Sequence, residues 1–197
     1  MKSKSELRRQ IKKKLAALGI NQPYVSEDLL TNLRNFQELW AVRTLAGFLA
    51  LGHEPDLRPL FQDWLGDGRC LLLPRYDSTA GCYELAAVTD LERDTVRGHY
   101  GILEPAPQLS KVILSGHVPA AWLVPGLAFS PDGARLGRGA GYYDRLLAPS
   151  SGLKIGVCLD CQLLAEIPVQ KHDVKMQHII TETRIMKCQQ KAEEFAR

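Results

Sequence analysis

Short apolar runs of strand length recur along the chain, and between them lie stretches whose apolar residues return every three or four positions. Residues 44–51, 70–74, 83–88, 120–125, 153–159 and, as the final strand, 178–181 read as strands, because a brief apolar run bounded by turn residues suits a strand covered on both faces. Leu57, Leu60, Phe61, Trp64 and Leu65 fall on one face of a helix over 56–65, which Gly66 and Gly68 terminate. A further helix opens near Ser26, a capping residue followed by Glu27 and Asp28, and runs through Leu29, Leu30, Leu33 and Phe36. This alternation predicts an α/β fold, a three-layer α/β/α arrangement around a mainly parallel sheet, with ligands at the carboxyl ends of the strands. Residues 100–107 interrupt the pattern with two prolines and read as a loop or an extended segment crossing the surface. A short helix is expected over 162–167, and a polar tail, solvated or frayed, over 187–197.

The chain has 197 residues, 45% of them hydrophobic, enough apolar material for one α/β domain spanning 1–197. Its formal charge of +3 is too mild to argue for nucleic acid as a partner. The basic excess is local: Lys2, Lys4, Arg8, Arg9, Lys12, Lys13 and Lys14 face only Glu6 in the first fourteen residues. A basic amphipathic helix over 3–18 accounts for them, with Leu7, Ile11, Leu15 and Leu18 on one stripe and Lys4, Arg8 and Lys12 on another. That second stripe suits either a solvated face or a cationic contact. The N-terminus lacks the uninterrupted apolar core of a secretory signal, and no segment approaches the ~18 apolar residues of a membrane span. A cytoplasmic protein without a membrane partner is expected. The five cysteines, odd in number and mostly in apolar runs, read as buried thiols. Cys158 and Cys161 have C-x2-C spacing, but no second pair completes a zinc shell.

Residues 135–143 form a glycine-rich loop between a strand and a helix start at Tyr142. Gly137, Gly139 and Gly141 alternate with Arg138 and Ala140, so the backbone can bend tightly and present successive N–H groups to an anion. Arg135 and Arg138 add guanidinium forks suited to phosphate or carboxylate. The G-x-G-x-G spacing is neither the G-x-G-x-x-G of dinucleotide folds nor the GK[ST] ending of a P-loop. A plain surface turn would use the same glycines, yet the two arginines, the strand before and the helix after favour anion binding. Asp144, in the first helical turn, can serve the helix dipole, worth about 0.3–1 kcal/mol, or hold Mg2+ beside a bound triphosphate. The histidines His53, His99, His117, His172 and His178 show no metal spacing and read as surface or loop residues, and Asp173 by itself is a polar loop residue.

Lys4-x-x-x-Arg8, Phe48-Leu49 with Glu54, Leu73-Pro74-Arg75, Glu104-Pro105, the run from Val124-Pro125-Gly126 to Arg145, and His172-Asp173 together resemble one family along nearly the whole chain. That family is 5-formyltetrahydrofolate cyclo-ligase, also called 5,10-methenyltetrahydrofolate synthetase. The resemblance implies a three-layer α/β/α fold and an enzyme that uses ATP and Mg2+ to close 5-formyltetrahydrofolate, with or without a polyglutamate tail, to 5,10-methenyltetrahydrofolate. ADP and phosphate are released. It further implies that the formyl oxygen is phosphorylated and that N10 then attacks the activated carbon. Carried over by position, Lys4, Arg8, Arg135, Leu136, Gly137, Arg138, Gly139, Ala140, Gly141, Tyr142 and Tyr143 would hold ATP. Leu49 and Glu54 would bind the folate, together with Arg138, Gly139, Ala140, Gly141 and Tyr142. Arg138 and Tyr142 would be catalytic, and Asp144 and Asp173 would ligate Mg2+. Two positions depart from the family pattern: Ser130 stands where Asp is common, which bears on how the loop is anchored. Ala140 stands where Lys or Gly is common, which removes one phosphate-contacting ammonium.

Two other readings use the same residues differently. A sugar-phosphate isomerase or related binder would take a monophosphate in the glycine loop without ATP. An RNA-binding module would rest on the basic N-terminal helix and bind in a strongly salt-dependent way.

Overall fold

The apolar runs become the middle of a sheet, and the amphipathic stretches become its cover. A computed structural model describes residues 2–113 and 120–189, so His117 and the expected tail beyond 189 lie outside the described residues. In chain order the helices are α1 (Lys4–Ala17), α2 (Glu27–Asn35), α3 (Gln37–Trp40), α4 (Arg58–Gly66) and α5 (Tyr142–Leu147). The strands are β1 (Thr44–Ala46), β2 (Cys70–Asp77), β3 (Cys82–Val88), β4 (Thr95–Arg97), β5 (Leu103–Pro105), β6 (Lys111–Val112), β7 (Ala120–Pro125), β8 (Ala128–Phe129), β9 (Arg135–Leu136), β10 (Leu153–Val157), β11 (His178–Ile180) and β12 (Ile185–Lys187).

Among the described residues, eight strands share one sheet in the order β12-β11-β10-β7-β1-β2-β3-β6. The stretch from β11 to β2 is parallel throughout, and antiparallel partners β12 and β3 flank it. Successive residues of a strand point to opposite faces, which divides the core in two. Leu45, Leu71, Leu73, Leu123 and Ile155 meet Leu29, Leu33, Leu60 and Trp64 from α2 and α4. Ala46, Leu72, Trp122 and Val124 meet Leu147 of α5 and Phe129 on the other side. The mainly parallel α/β architecture is as expected.

Capping explains where the helices start. Ser3 accepts from the Glu6 N–H while the Glu6 carboxylate accepts from the Ser3 N–H at 2.8 Å, a reciprocal box that fixes the first turn of α1. Ser26 accepts the Leu29 N–H at 3.3 Å and starts α2, a contact worth about 1 kcal/mol. Leu7, Ile11 and Leu15 of α1 then bury against Leu127, Ala128 and Leu136 of the β8–β9 hairpin. The adjoining stripe, carrying Lys4 and Arg8, is left to face a neighbouring cleft.

Four local expectations are corrected. The strand expected over 44–51 ends at Ala46: the Gly47 N–H still donates to the Leu72 carbonyl at 2.9 Å, after which Phe48 to Glu54 leave the sheet as a loop that lines the cavity at its end. Residues 162–167 form no helix; a single tight turn at Asp160–Gln162 is pinned by the Gln162 amide, which donates to the carbonyls of Gly126 and Leu127 at 3.1 Å. The 100–107 segment is not a surface crossing: β5 pairs with β4 and buries Glu104. The strand at 178–181 is not the last, since β12 pairs antiparallel with it. Of the cysteines, Cys158 and Cys188 are buried as expected, whereas Cys70 is exposed at the start of β2.

The β8–β9 turn depends on Gly133, which has φ +84°, and a Cβ there would stand 2.3 Å from the Met176 carbonyl oxygen. Gly133→Ala is expected to destabilise the fold by about 1–3 kcal/mol, read as a lower urea midpoint at unchanged m-value.

Candidate active site

β1 and β7 lie side by side and run parallel, but the chain leaves them in opposite directions across the sheet: β1 leads to β2, and β7 leads by way of α5 to β10. The sheet order reverses there, and a crevice opens at the carboxyl ends of such strands. The loop after β1 (Phe48 to Glu54) and the turn after β7 (Pro125-Gly126) line that crevice, which encloses about 490 Å3. The β9–α5 loop covers it, and Lys4 and Arg8 reach it from α1.

Glycine backbone geometry lets the loop come close. Gly139 and Gly141 have φ +114° and +66°, values that side-chain-bearing residues avoid. At Gly137 a Cβ would stand 2.9 Å from an Arg135 guanidinium nitrogen, so its hydrogen leaves the path of that side chain open.

Four cations converge on the cleft, each held by a protein acceptor. The Arg8 Nε donates to the Gly137 carbonyl at 2.8 Å, which ties α1 to the loop. Lys4 pairs with Asp173. Burial would push the Asp173 carboxyl up, but the Lys4 ammonium and the Gln170 N–H outweigh it and hold it below the ordinary value. Arg135 is buried, donates to Asp144 at 2.9 Å, and lies 5.7 Å from the Tyr143 ring centroid. Arg138 crosses from the loop to the opposite rim, donating to Glu54 at 3.1 Å and to the Leu51 carbonyl. Glu54 also accepts the Leu51 N–H at 2.9 Å. Its burial raises its pKa, while Arg138 acts in the opposite direction.

An aromatic group adjoins these charges. The Tyr142 ring meets Tyr83 and Tyr76 edge-on at 5.1 and 5.8 Å, and Tyr76 stacks on His99 at 4.1 Å. Rings arranged in this way offer planar apolar surface beside a cationic loop.

Of the residues singled out from the sequence, Lys4, Arg8, Leu49, Glu54, Arg135, Gly137, Arg138, Gly139, Ala140, Gly141, Tyr142, Tyr143, Asp144 and Asp173 all line this one cleft. Leu136 does not line it. Its side chain is fully buried in the core beneath α1 and its carbonyl accepts the Leu127 N–H at 2.8 Å, because alternation along β9 turns it inward when Arg135 turns outward. The site also contains Tyr83, Ile102, Leu103, Glu104 and Gln170, which were not assigned to it from the sequence. Tyr83 sits in a strand pattern that gives no hint of a ligand, and Glu104 was attached only to a motif.

Asp144 and Asp173 line the same cleft, but no cluster of three or more His, Cys, Asp or Glu side chains able to hold a metal ion occurs among the described residues. Two carboxylates still fit Mg2+, which is usually bound by one or two carboxylates completed by substrate phosphates and water. Ser130, where the family commonly has Asp, is fully buried and donates to Asp132 at 2.6 Å, and Asp132 in turn pairs with Lys175 at 3.0 Å. The loop is thus anchored through one further side chain. No helix among the described residues is long and apolar enough to cross a membrane.

Comparison with known proteins shows the family of the chain. The model of the 5-formyltetrahydrofolate cyclo-ligase family matches residues 1–182. A 5-formyltetrahydrofolate cyclo-ligase of Mycolicibacterium smegmatis is 37% identical over 146 residues, covering 72% of this chain and 75% of the relative. One from Mus musculus is 25% identical over 91% of this chain and 94% of its own length. The NMR structure of Aquifex aeolicus 5,10-methenyltetrahydrofolate synthetase superposes with a TM-score of 0.77 at 28% identity, covering 98% of this chain and 99% of that one. The chain is an enzyme of the 5-formyltetrahydrofolate cyclo-ligase family.

Proposed function

We propose that the protein closes 5-formyltetrahydrofolate to 5,10-methenyltetrahydrofolate at the expense of ATP, with Mg2+ as the required ion. The observation that carries this reading is the convergence of Lys4, Arg8, Arg135 and Arg138 on one cleft that also has an aromatic wall. A triphosphate needs the first set of groups, and a pterin needs the second.

A formamide oxygen is a poor leaving group, and ring closure must expel it, so it has to be activated first. The formyl oxygen attacks the γ-phosphorus and ADP departs. N10 then adds to the phosphorylated formyl carbon, loses its proton, and inorganic phosphate leaves with the former formyl oxygen. Such a transfer relies on positioning and charge neutralisation rather than on a protein nucleophile. Lys4 and Arg8 would hold the phosphates from α1, and Arg135 from the floor of the loop. Arg138, already anchored to Glu54 across the cleft, would orient the formyl oxygen beside the terminal phosphate, with Tyr142 packing on the pterin. Leu49 and Glu54 would complete the folate side. Asp144 and Asp173 would hold Mg2+, which would supply neutralisation of the phosphate charge.

The test mixes protein, ATP, Mg2+ and 5-formyltetrahydrofolate and follows the near-UV absorbance of the methenyl product. Product formation that stops on omission of ATP, or on chelation of the ion, is the expected result. Failure of folded protein to form product, or product formed equally without nucleotide, would overturn the proposal.

A further inference from the structure

Glu104 is the one acidic side chain at the cleft whose buried oxygen has no hydrogen-bond partner among the described residues. It lies on β5, is 5% exposed, and lines the same cavity as the glycine loop. Its Oε2 accepts the Tyr76 N–H at 3.3 Å, while Oε1 is buried and unpaired. The backbone leaves room for the carboxylate: a Cβ at Gly98 would stand 2.4 Å from Oε2, space that glycine leaves open. Through Tyr76 it adjoins the aromatic group of Tyr83, Tyr142 and His99. Buried acceptors are nearly always satisfied, by protein or by water, and one that lines a ligand cavity is open to a donor that the ligand brings.

We propose that Glu104 is a specificity-determining residue whose Oε1 accepts the N–H groups on the aminopyrimidinone edge of the substrate's pterin ring. The donor pattern decides between the two heterocycles that the cyclo-ligase reading, on which this inference rests, brings to the cleft. The pterin presents two adjacent donors, the 2-amino group and N3–H, and a carboxylate oxygen free to accept suits adjacent donors. Adenine presents its 6-amino group next to the acceptor N1, which would face the carboxylate unfavourably.

The experiment compares 5-formyltetrahydrofolate with its analogue carrying 2-methyl in place of the 2-amino group, on the wild-type protein and on Glu104→Gln. Wild type is expected to bind the analogue about 10- to 100-fold more weakly, the range of one charge-assisted hydrogen bond. Glu104→Gln should weaken binding of the natural substrate by a similar factor, lose most of the discrimination between the two, and leave the KM for ATP unchanged. Wild-type protein that forms product yet binds both compounds alike would overturn the assignment, and this arm decides even if the variant does not fold. A variant that retains the wild-type preference would overturn it as well. Wild-type protein that forms no product removes the cyclo-ligase reading, and this inference with it.

Discussion

Arg138→Ala is expected to lower kcat/KM for 5-formyltetrahydrofolate by about 100- to 1000-fold, the usual loss when one donor aimed at developing charge is removed. Arg138 joins the two rims of the cleft, bonding Glu54 and the Leu51 carbonyl, so its loss also releases the loop over the substrate. The fall should lie mainly in kcat, because on the proposed reading Lys4, Arg8 and Arg135 would still hold the phosphates. Steady-state kinetics at saturating ATP separates the two constants, and wild-type values would return Arg138 to a structural role.

The same variant carries a stability signature whose sign follows from Glu54. Burial places the folded pKa of Glu54 above its ordinary value of 4.5, with Arg138 restraining the rise. A carboxyl whose pKa is higher in the folded than in the unfolded state contributes stability that is fully present below the unfolded value and is lost as pH rises through the folded value. Removing Arg138 raises the folded value further. The difference in stability between wild type and Arg138→Ala should therefore be large at pH 7, about 1–3 kcal/mol for a buried charge left short of partners, and should shrink toward pH 4. Urea unfolding at several pH values measures it; a difference that stays flat with pH would assign the loss to packing alone.

What could be read from the sequence was what neighbouring residues determine together. The glycine loop, with Arg135, Arg138 and Asp144, is continuous in the chain, so its chemistry is visible as a string of letters. Lys4 and Arg8 showed only as a stripe, and their approach to the loop follows from the packing of Leu7 and Ile11 on the β8–β9 hairpin, a contact between distant segments. Glu104 was obscured because two prolines disguised β5 as a surface crossing, and its burial comes from pairing with β4. Tyr83 and Tyr142 meet only because β3 and α5 pack together. The Leu136 side chain stays off the cleft for a local reason: inside a loop motif, β9 still alternates, and every second side chain points to the core.

Arg135 is the position where loop chemistry and fold stability coincide, and Arg135→Ala is expected to destabilise the protein by about 3–5 kcal/mol, the range for breaking a buried pair at one partner. Its side chain is 5% exposed and that of Asp144 20%, so the carboxylate left behind has little water to replace the guanidinium. The loss also opens a void beside the Tyr143 ring and Gly137, which are spaced to pass a side chain of this shape. Arg135→Lys should recover only part of the stability, because an ammonium lacks the planar fork. Asp144→Asn and the double variant complete a cycle. If the pair acts as a unit, the double variant will be less destabilised than the sum of the single ones, since no unpaired charge is left. Strict additivity in urea unfolding would instead show that Arg135 stabilises the loop by filling space. Where the coupling is found, ATP binding by Arg135→Lys gives the functional counterpart: a cation retained at the base of the loop should preserve more nucleotide affinity than alanine does.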